Sequence, residues 1–337
     1  MKKIIIALSI SVVALSAAAD NFSVSESEKQ KMTEEAEEWM DNIPDGLQDR
    51  LSDAVNHAIH GFYSELENIR NFSDTTGMDK YKVEIKDLKT GVSNTALRYY
   101  YTEENETKET PLLIYFHGGG WSMGSLETSE KFCRALASSG KLKVISVDYP
   151  LAPEHPYPDG VNVCLGATEY LYNEADKLQI DPGNISLGGE GAGGTLALET
   201  YLNLPDKYKV SNLIMYYPML RTQGSLDKES KREFGRGYGF DSRLWETFIE
   251  AYKGESLNVT KPLPPTLLIS AERDILIKEE KNFSSQDKNI VYVEFPEALH
   301  GFISDGHQPS AFSKAVELTE MFILDNPRKH DQAYKVQ

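Results

Sequence analysis

The chain has 337 residues, 40% hydrophobic and 26% charged, with 35 Lys and Arg against 52 Asp and Glu, for a formal net charge of −17. That is a globular composition, with material for one large core and an accessory segment, and without the bias of a disordered or repetitive chain. So acidic a surface repels nucleic acid and anionic membranes, and neither is an expected partner.

Met1, Lys2 and Lys3 precede an apolar stretch from Ile4 to about Leu15, which leads into Ala17-Ala18-Ala19. A charged start, a short apolar run and an A-x-A site are the parts of a cleaved signal peptide, here residues 1–19. A membrane-spanning anchor needs about 20 apolar residues, and this run stops short. No cysteine follows the site to carry a lipid. The expectation is an exported protein, periplasmic or secreted, with no membrane span after cleavage. Loss of Lys2 and Lys3 takes the net charge from −17 to −19.

Residues 20–78 read as a helical N-terminal arm. Met32, Ala36 and Trp39 fall on one face, and Leu51, Ala54, Val55, Ala58, Ile59 and Phe62 on another, with a break at Pro44-Asp45-Gly46. His57 and His60 share a helix face, but no cysteine or carboxylate set completes a ligand cluster, so no metal is expected. No motif elsewhere implies a cofactor.

Over 79–330 the pattern switches to short apolar runs with helical stretches between the later ones. Strands are predicted at Tyr81 to Leu88, Ala96 to Tyr101, Leu112 to Phe116, Lys143 to Val147, Ile185 to Gly188, Leu213 to Tyr217, Thr266 to Ser270 and Val291 to Phe295. The first two suit an antiparallel hairpin. The rest argue an α/β architecture, a mostly parallel, doubly wound sheet of about eight strands. Cys133 and Cys164 fall in helices before and after the fourth strand. If the order of strand addition reverses there, right-handed crossovers put those helices on opposite faces and leave two buried free thiols. The polar, aromatic-rich stretch 221–265 is an insertion that, with the N-terminal arm, forms a helical cap over the carboxyl ends of the strands, where such sheets bind ligands.

Four segments converge on one chemistry. After the third strand, His117-Gly118-Gly119-Gly120-Trp121 supplies consecutive backbone amides without side-chain obstruction, the donors that stabilise an oxyanion. Asp148 to Pro158 is a proline-stiffened loop in which His155 reads as a structural residue. Asp274 and His300 follow two successive strands, in the chain order of an acid and a base that come after a nucleophile. Between them and the glycine loop, Ile185 to Gly194 has the apolar run, flanking glycines and following helix of a strand-turn-helix nucleophile elbow. Where G-x-S-x-G is required, however, it reads Gly189-Glu190-Gly191-Ala192-Gly193.

From about Leu112 to Phe302 the chain resembles the hormone-sensitive-lipase-type branch of the α/β-hydrolases, which includes bacterial acetyl esterases. The resemblance rests on the H-G-G-G motif, the D-Y-x-L-A-P-E-H-P-x-P loop, the elbow, and the E-x-D and H-G-F segments. It implies an α/β-hydrolase fold, with Asp274 as the acid and His300 as the general base. It implies an oxyanion hole from Gly118, Gly119 and the amide of Ala192. Two departures stand out: Gly191 occupies the serine position, and Pro150 a position that is usually arginine. Trp121, Glu190 and Tyr238 are expected to contact substrate, and with Tyr157 and Phe240 they suggest an aromatic pocket for short acyl chains.

Gly191 leaves three readings open. One is a pseudoenzyme that binds a small acyl ester, a similar apolar ligand or a protein partner; the family includes a plant hormone receptor with a defective triad. Another is a carboxylic-ester hydrolase that uses a water activated by His300, or another nucleophile. The last is a substituted form of an ordinary esterase, since one base separates several serine and glycine codons.

Overall fold

The computed structural model describes residues 23–92 and 95–325, so the signal-peptide expectation for 1–19 lies outside the described residues. The N-terminal arm forms α1 (Glu26–Asn42), α2 (Leu47–Ile59) and α3 (Ser64–Ile69). Ser25 and Glu28 close a capping box at the start of α1, which satisfies amides that the first turn would leave unpaired. Met32, Ala36, Ala54, Val55 and Ala58 are buried, as the apolar spacing predicts. Phe62 is not: α2 ends before it, and it is 71% exposed.

All eight predicted strands are present. They are β1 (Glu84–Lys89), β2 (Ala96–Tyr101), β3 (Thr110–Phe116), β4 (Lys143–Val147), β5 (Ile180–Glu190), β6 (Leu213–Tyr216), β7 (Thr266–Arg273) and β8 (Ile290–Leu299). They form one sheet in the order β1-β2-β4-β3-β5-β6-β7-β8. β1 and β2 pair antiparallel, β2 is antiparallel to β4, and the other pairings are parallel. β5 is longer than its apolar run because Ile180 already pairs with Thr110 ahead of a register shift.

The period of two along β3 divides the core. Leu112, Ile114 and Phe116 join one buried cluster, and Leu113 and Tyr115 the other. The helices between strands cover both faces: α4 (Glu130–Ala137), α5 (Asp159–Asn173), α6 (Ala175–Leu178), α7 (Ala192–Asn203), α8 (Lys228–Phe234), α9 (Ser242–Tyr252), α10 (Ile277–Ser284) and α11 (Pro309–Asp325). Cys133 on α4 and Cys164 on α5 are free, buried, and in different core clusters, the separation expected of right-handed crossovers. Among the described residues no helix is long and apolar enough to cross a membrane.

The N-terminal arm is fastened both to the 221–265 insertion and to the end of the sheet. Arg243 at the start of α9 pairs with Asp49 at 2.9 Å and with Asp53, both on α2, and Gln48 donates to the carbonyl of Gly239. These ion pairs are solvent-exposed and individually contribute little; the apolar packing of Leu244, Trp245 and Phe248 on the core does more, about 1.5–3 kcal/mol for each large side chain fully buried. α1 is fastened beside the end of β8, where Gln308 donates to the carbonyls of Met32 at 3.0 Å and Glu297 at 3.2 Å while accepting the amide of Leu299 at 2.7 Å.

Candidate functional site

The carboxyl ends of β3, β5, β7 and β8 bring together residues that are far apart in the chain, beneath the cap. Here they border a cavity of about 490 Å³. Asp274, just past β7, is 1% exposed; its Oδ1 accepts the amide of Leu276 at 3.0 Å and its Oδ2 lies 2.7 Å from Nδ1 of His300. His300, just past β8, packs against the rings of Phe240 and Tyr217, at centroid distances of 4.3 and 4.6 Å. Bonded on one nitrogen and wedged by two rings, the imidazole has a fixed direction.

Its other nitrogen faces Gly191. An ideal Cβ built on Gly191 stands 3.6 Å from His300 Nε2 and 3.9 Å from Cε1, with no other atom within 4 Å apart from its chain neighbours. Gly191 joins β5 to α7 at φ 51° and ψ −117°, a backbone conformation that costs a residue with a side chain about 1–3 kcal/mol. The turn is held firmly: the Gly191 amide donates to Tyr216 O at 3.0 Å and its carbonyl accepts from Met219 at 3.1 Å. The site has room for a side chain beside a buried carboxylate-histidine pair, and glycine supplies none.

The glycine loop lies across from this turn. Gly118, expected as an oxyanion donor, has its amide taken by Glu190 Oε1 at 3.2 Å, so it is not free for a ligand. Among the described residues the amides of Gly119, Gly120 and Ala192 donate to no protein acceptor. Gly120 has no room for a side chain: a Cβ there would overlap the ring of Phe248 from α9. His117, ahead of the loop, is structural. It is 1% exposed and stacked on Tyr149 at 4.2 Å, and burial holds its pKa down at about 4.

Glu190 lines the cavity, as the sequence suggests, but as a fixed element. Its Oε2 accepts the hydroxyl of Tyr217 at 3.0 Å, and burial lifts its carboxyl from 4.5 to about 7 even though the bonds from Tyr217 and Gly118 favour the ionised form. Trp121 and Tyr238, expected to contact substrate, are not among the residues that line the cavity. Trp121 is turned away, stacked on Tyr252 at 4.0 Å and 7°, which ties the glycine loop to α9. Tyr238 lies edge-on to Phe234 at 5.2 Å, outside the lining, and Tyr157 packs on Tyr252 at 5.7 Å. The aromatic lining comes from Phe240, as expected, and from Tyr217, Phe248, Trp39 and Phe72. Trp39 and Phe72 belong to the N-terminal arm and carry no motif; only Trp39's place on an apolar helix face marked it as buried. His155 lies in the proline loop, 3.3 Å from Asp159. Among the described residues no group of three His, Cys, Asp or Glu side chains is placed to hold a metal.

A family model described as alpha/beta hydrolase fold matches residues 113–304, which span the glycine loop, the Gly191 turn, Asp274 and His300. A protein of Acanthamoeba polyphaga mimivirus, described as an alpha/beta hydrolase, is 26% identical over 243 residues, 67% of each chain. An esterase of Pyrobaculum calidifontis is 27% identical, with a TM-score of 0.66 over 80% of this chain and 92% of that one. A thermostable esterase of Pseudomonas putida, 18% identical, superimposes with a TM-score of 0.71 over 88% and 98%, a likeness of fold.

Proposed function

The chain belongs to the alpha/beta hydrolase fold family, and on that premise we propose that it is an exported, ester-binding protein of the esterase type with little or no turnover, disarmed at Gly191. The observation that carries this reading is the space 3.6 Å from His300 Nε2 in which no nucleophile stands. Removing the nucleophile from a Ser-His-Asp machine costs on the order of a million-fold in turnover, and binding survives it. On this reading the arm, residues 20–78, and the insertion, 221–265, form the cap, and 79–330 carry the hydrolase body. The ligand is a small acyl ester or a similar apolar molecule, held with its carbonyl oxygen toward the amides of Gly119, Gly120 and Ala192. That shifts the oxyanion donors one residue along from Gly118 and Gly119, because Glu190 occupies Gly118. A protein that reads the liganded state would be its partner.

A second reading is favoured by the intact Asp274–His300 pair at 2.7 Å. An imidazole so oriented can take a proton from a water beside Gly191, giving slow hydrolysis without a covalent intermediate.

Hydrolysis of short p-nitrophenyl esters by the mature chain, His300→Ala, Gly191→Ser, and Gly191→Ser with His300→Ala separates the two. Turnover gained by Gly191→Ser, absent from the native chain and lost with His300, supports the disarmed binder. Native turnover that His300→Ala alone abolishes supports the water route and overturns the first reading.

A further inference from the structure

The amides that donate to no protein acceptor among the described residues come from two segments: Gly119 and Gly120 from the loop after β3, and Ala192 from the start of α7. Whether one carbonyl oxygen can accept from all of them depends on how firmly the two segments are held relative to each other. At the start of the loop they are joined by the bond from the Gly118 amide to Glu190, at 3.2 Å. At its end there is a second brace, and it runs through the cap insertion.

Trp121 follows Gly120 and stands at φ 59°, a region that residues with a side chain rarely adopt and keep only where packing enforces it. Its carbonyl accepts the amide of Ala152 at 2.8 Å, and its ring lies flat on that of Tyr252, at 4.0 Å and 7°. Tyr252 closes α9. Its carbonyl accepts the amide of Tyr157 at 2.8 Å, and its hydroxyl donates to Oε2 of Glu199 at 3.1 Å. Glu199 lies on α7, the helix that Ala192 begins. The loop end and the elbow helix are therefore linked through one side chain of the cap.

The link is dry: Trp121, Tyr252 and Glu199 are all buried. Burial disfavours the charge on Glu199, and the Tyr252 hydroxyl is the group that favours it, so the bond between them is specific on both sides. None of the three lines the cavity. Leu244 and Phe248, on the same α9, do line it, so a ligand tail resting on them touches the helix whose last residue holds the loop.

We propose that Tyr252, fixed by Glu199, is a positioning residue: it touches no ligand, and it sets the amides of Gly119 and Gly120 at the spacing from that of Ala192 at which they share one carbonyl oxygen. This rests on the ester-binding reading above and gives the cap a part in it beyond enclosing the ligand.

The test is calorimetric titration of the mature protein with p-nitrobenzyl propyl ketone and with p-pentylnitrobenzene. The two differ only in a carbonyl against a methylene, and neither can be hydrolysed. Tyr252→Leu weakens the ketone about tenfold and leaves the hydrocarbon unmoved, the loss expected when aligned hydrogen bonds are spoiled. Tyr252→Phe keeps the stacked ring, loses the bond to Glu199, and weakens the ketone roughly threefold. An equal loss for both ligands would make Tyr252 a packing residue alone and overturns the proposal. Where the leucine variant does not fold, the phenylalanine variant decides, because it keeps the buried volume; a native ratio of the two affinities in it overturns the brace and leaves ester binding standing. If neither ligand binds the native chain, the ester-binding reading falls and this inference falls with it.

Discussion

Arg70, at the end of the N-terminal arm, donates to Glu154 of the proline loop at 2.7 Å, and its Nε donates to the carbonyl of Ser122 at 3.0 Å. The carbonyl of Arg70 also accepts the amide of Gly124 at 2.7 Å. The guanidinium that pairs with Glu154 thus comes from a residue outside the family-matched segment, 113–304. The arm, the proline loop and the glycine loop are joined at one side chain.

Arg70→Ala should accordingly loosen the glycine loop as well as the arm. The pair is partly buried, and breaking it strands Glu154, so a loss of about 1–3 kcal/mol is expected. Thermal unfolding gives the loss, and hydrogen exchange should show reduced protection at Met123 and Gly124. A loss that Glu154→Gln alone reproduces in full would assign the effect to the ion pair and not to the carbonyl contacts.

Gly191 relieves strain as well as omitting a nucleophile. Gly191→Ala places a side chain at φ 51°, and should lower stability by about 1–3 kcal/mol without creating esterase activity. Gly191→Ser should carry the same cost and gain turnover. Chemical denaturation of the three proteins checks whether stability tracks the presence of a Cβ rather than a hydroxyl.

In the Gly191→Ser background, Asp274→Asn tests the orientation of His300. An asparagine can still accept the Leu276 amide but presents its NH2 to Nδ1, which selects the tautomer with the proton on Nε2. In the serine-protease precedent the equivalent change lowers turnover by about 10⁴ with the geometry intact. A drop of similar size in kcat, with little change in folding, is expected here; an unchanged kcat would mean that His300 is not the base.

Glu190 makes stability fall as pH rises. Its folded pKa, about 7, lies above the unfolded 4.5, so between those values the unfolded chain has released a proton that the folded chain keeps. Its contribution is present below about pH 4.5 and is lost as pH rises through about 7, by up to ~3 kcal/mol. Glu199 and Glu279, also pushed up to about 7 by burial, act with the same sign. Glu190→Gln should flatten the decline measured by denaturation between pH 4.5 and 8; a steeper decline would contradict the assignment.

Phe248 closes the cavity at the cap, 4% exposed and packed over Gly120. Phe248→Ala should cost about 3–5 kcal/mol and extend ligand length, so that binding by the native elbow, or turnover in Gly191→Ser, moves toward longer acyl chains. Affinity compared across acetyl to octanoyl esters reads the shift.

The sheet and the Asp274–His300 pair were legible because both are written locally: an apolar run sets a strand, and its carboxyl end sets where the next side chain appears. The reversal at β4 could likewise be inferred from connection handedness. The motif records which residues have amides and says nothing of which amide a buried carboxylate 72 positions away will take, as Glu190 takes that of Gly118. Being aromatic near the motif does not tell which partner a ring takes: packing sets Trp121 on Tyr252 and Tyr238 on Phe234. Trp39, Phe72 and Asp305 reach the cavity through how arm and turn fold over the sheet, and no spacing in the chain encodes that.

The two thiols lie on opposite sides of the sheet, each sealed in its own half of the core. They therefore form a built-in pair of reporters. A maleimide will react with neither while the molecule is folded, and the order in which Cys133 and Cys164 become alkylated under denaturant will say which side of the sheet opens first.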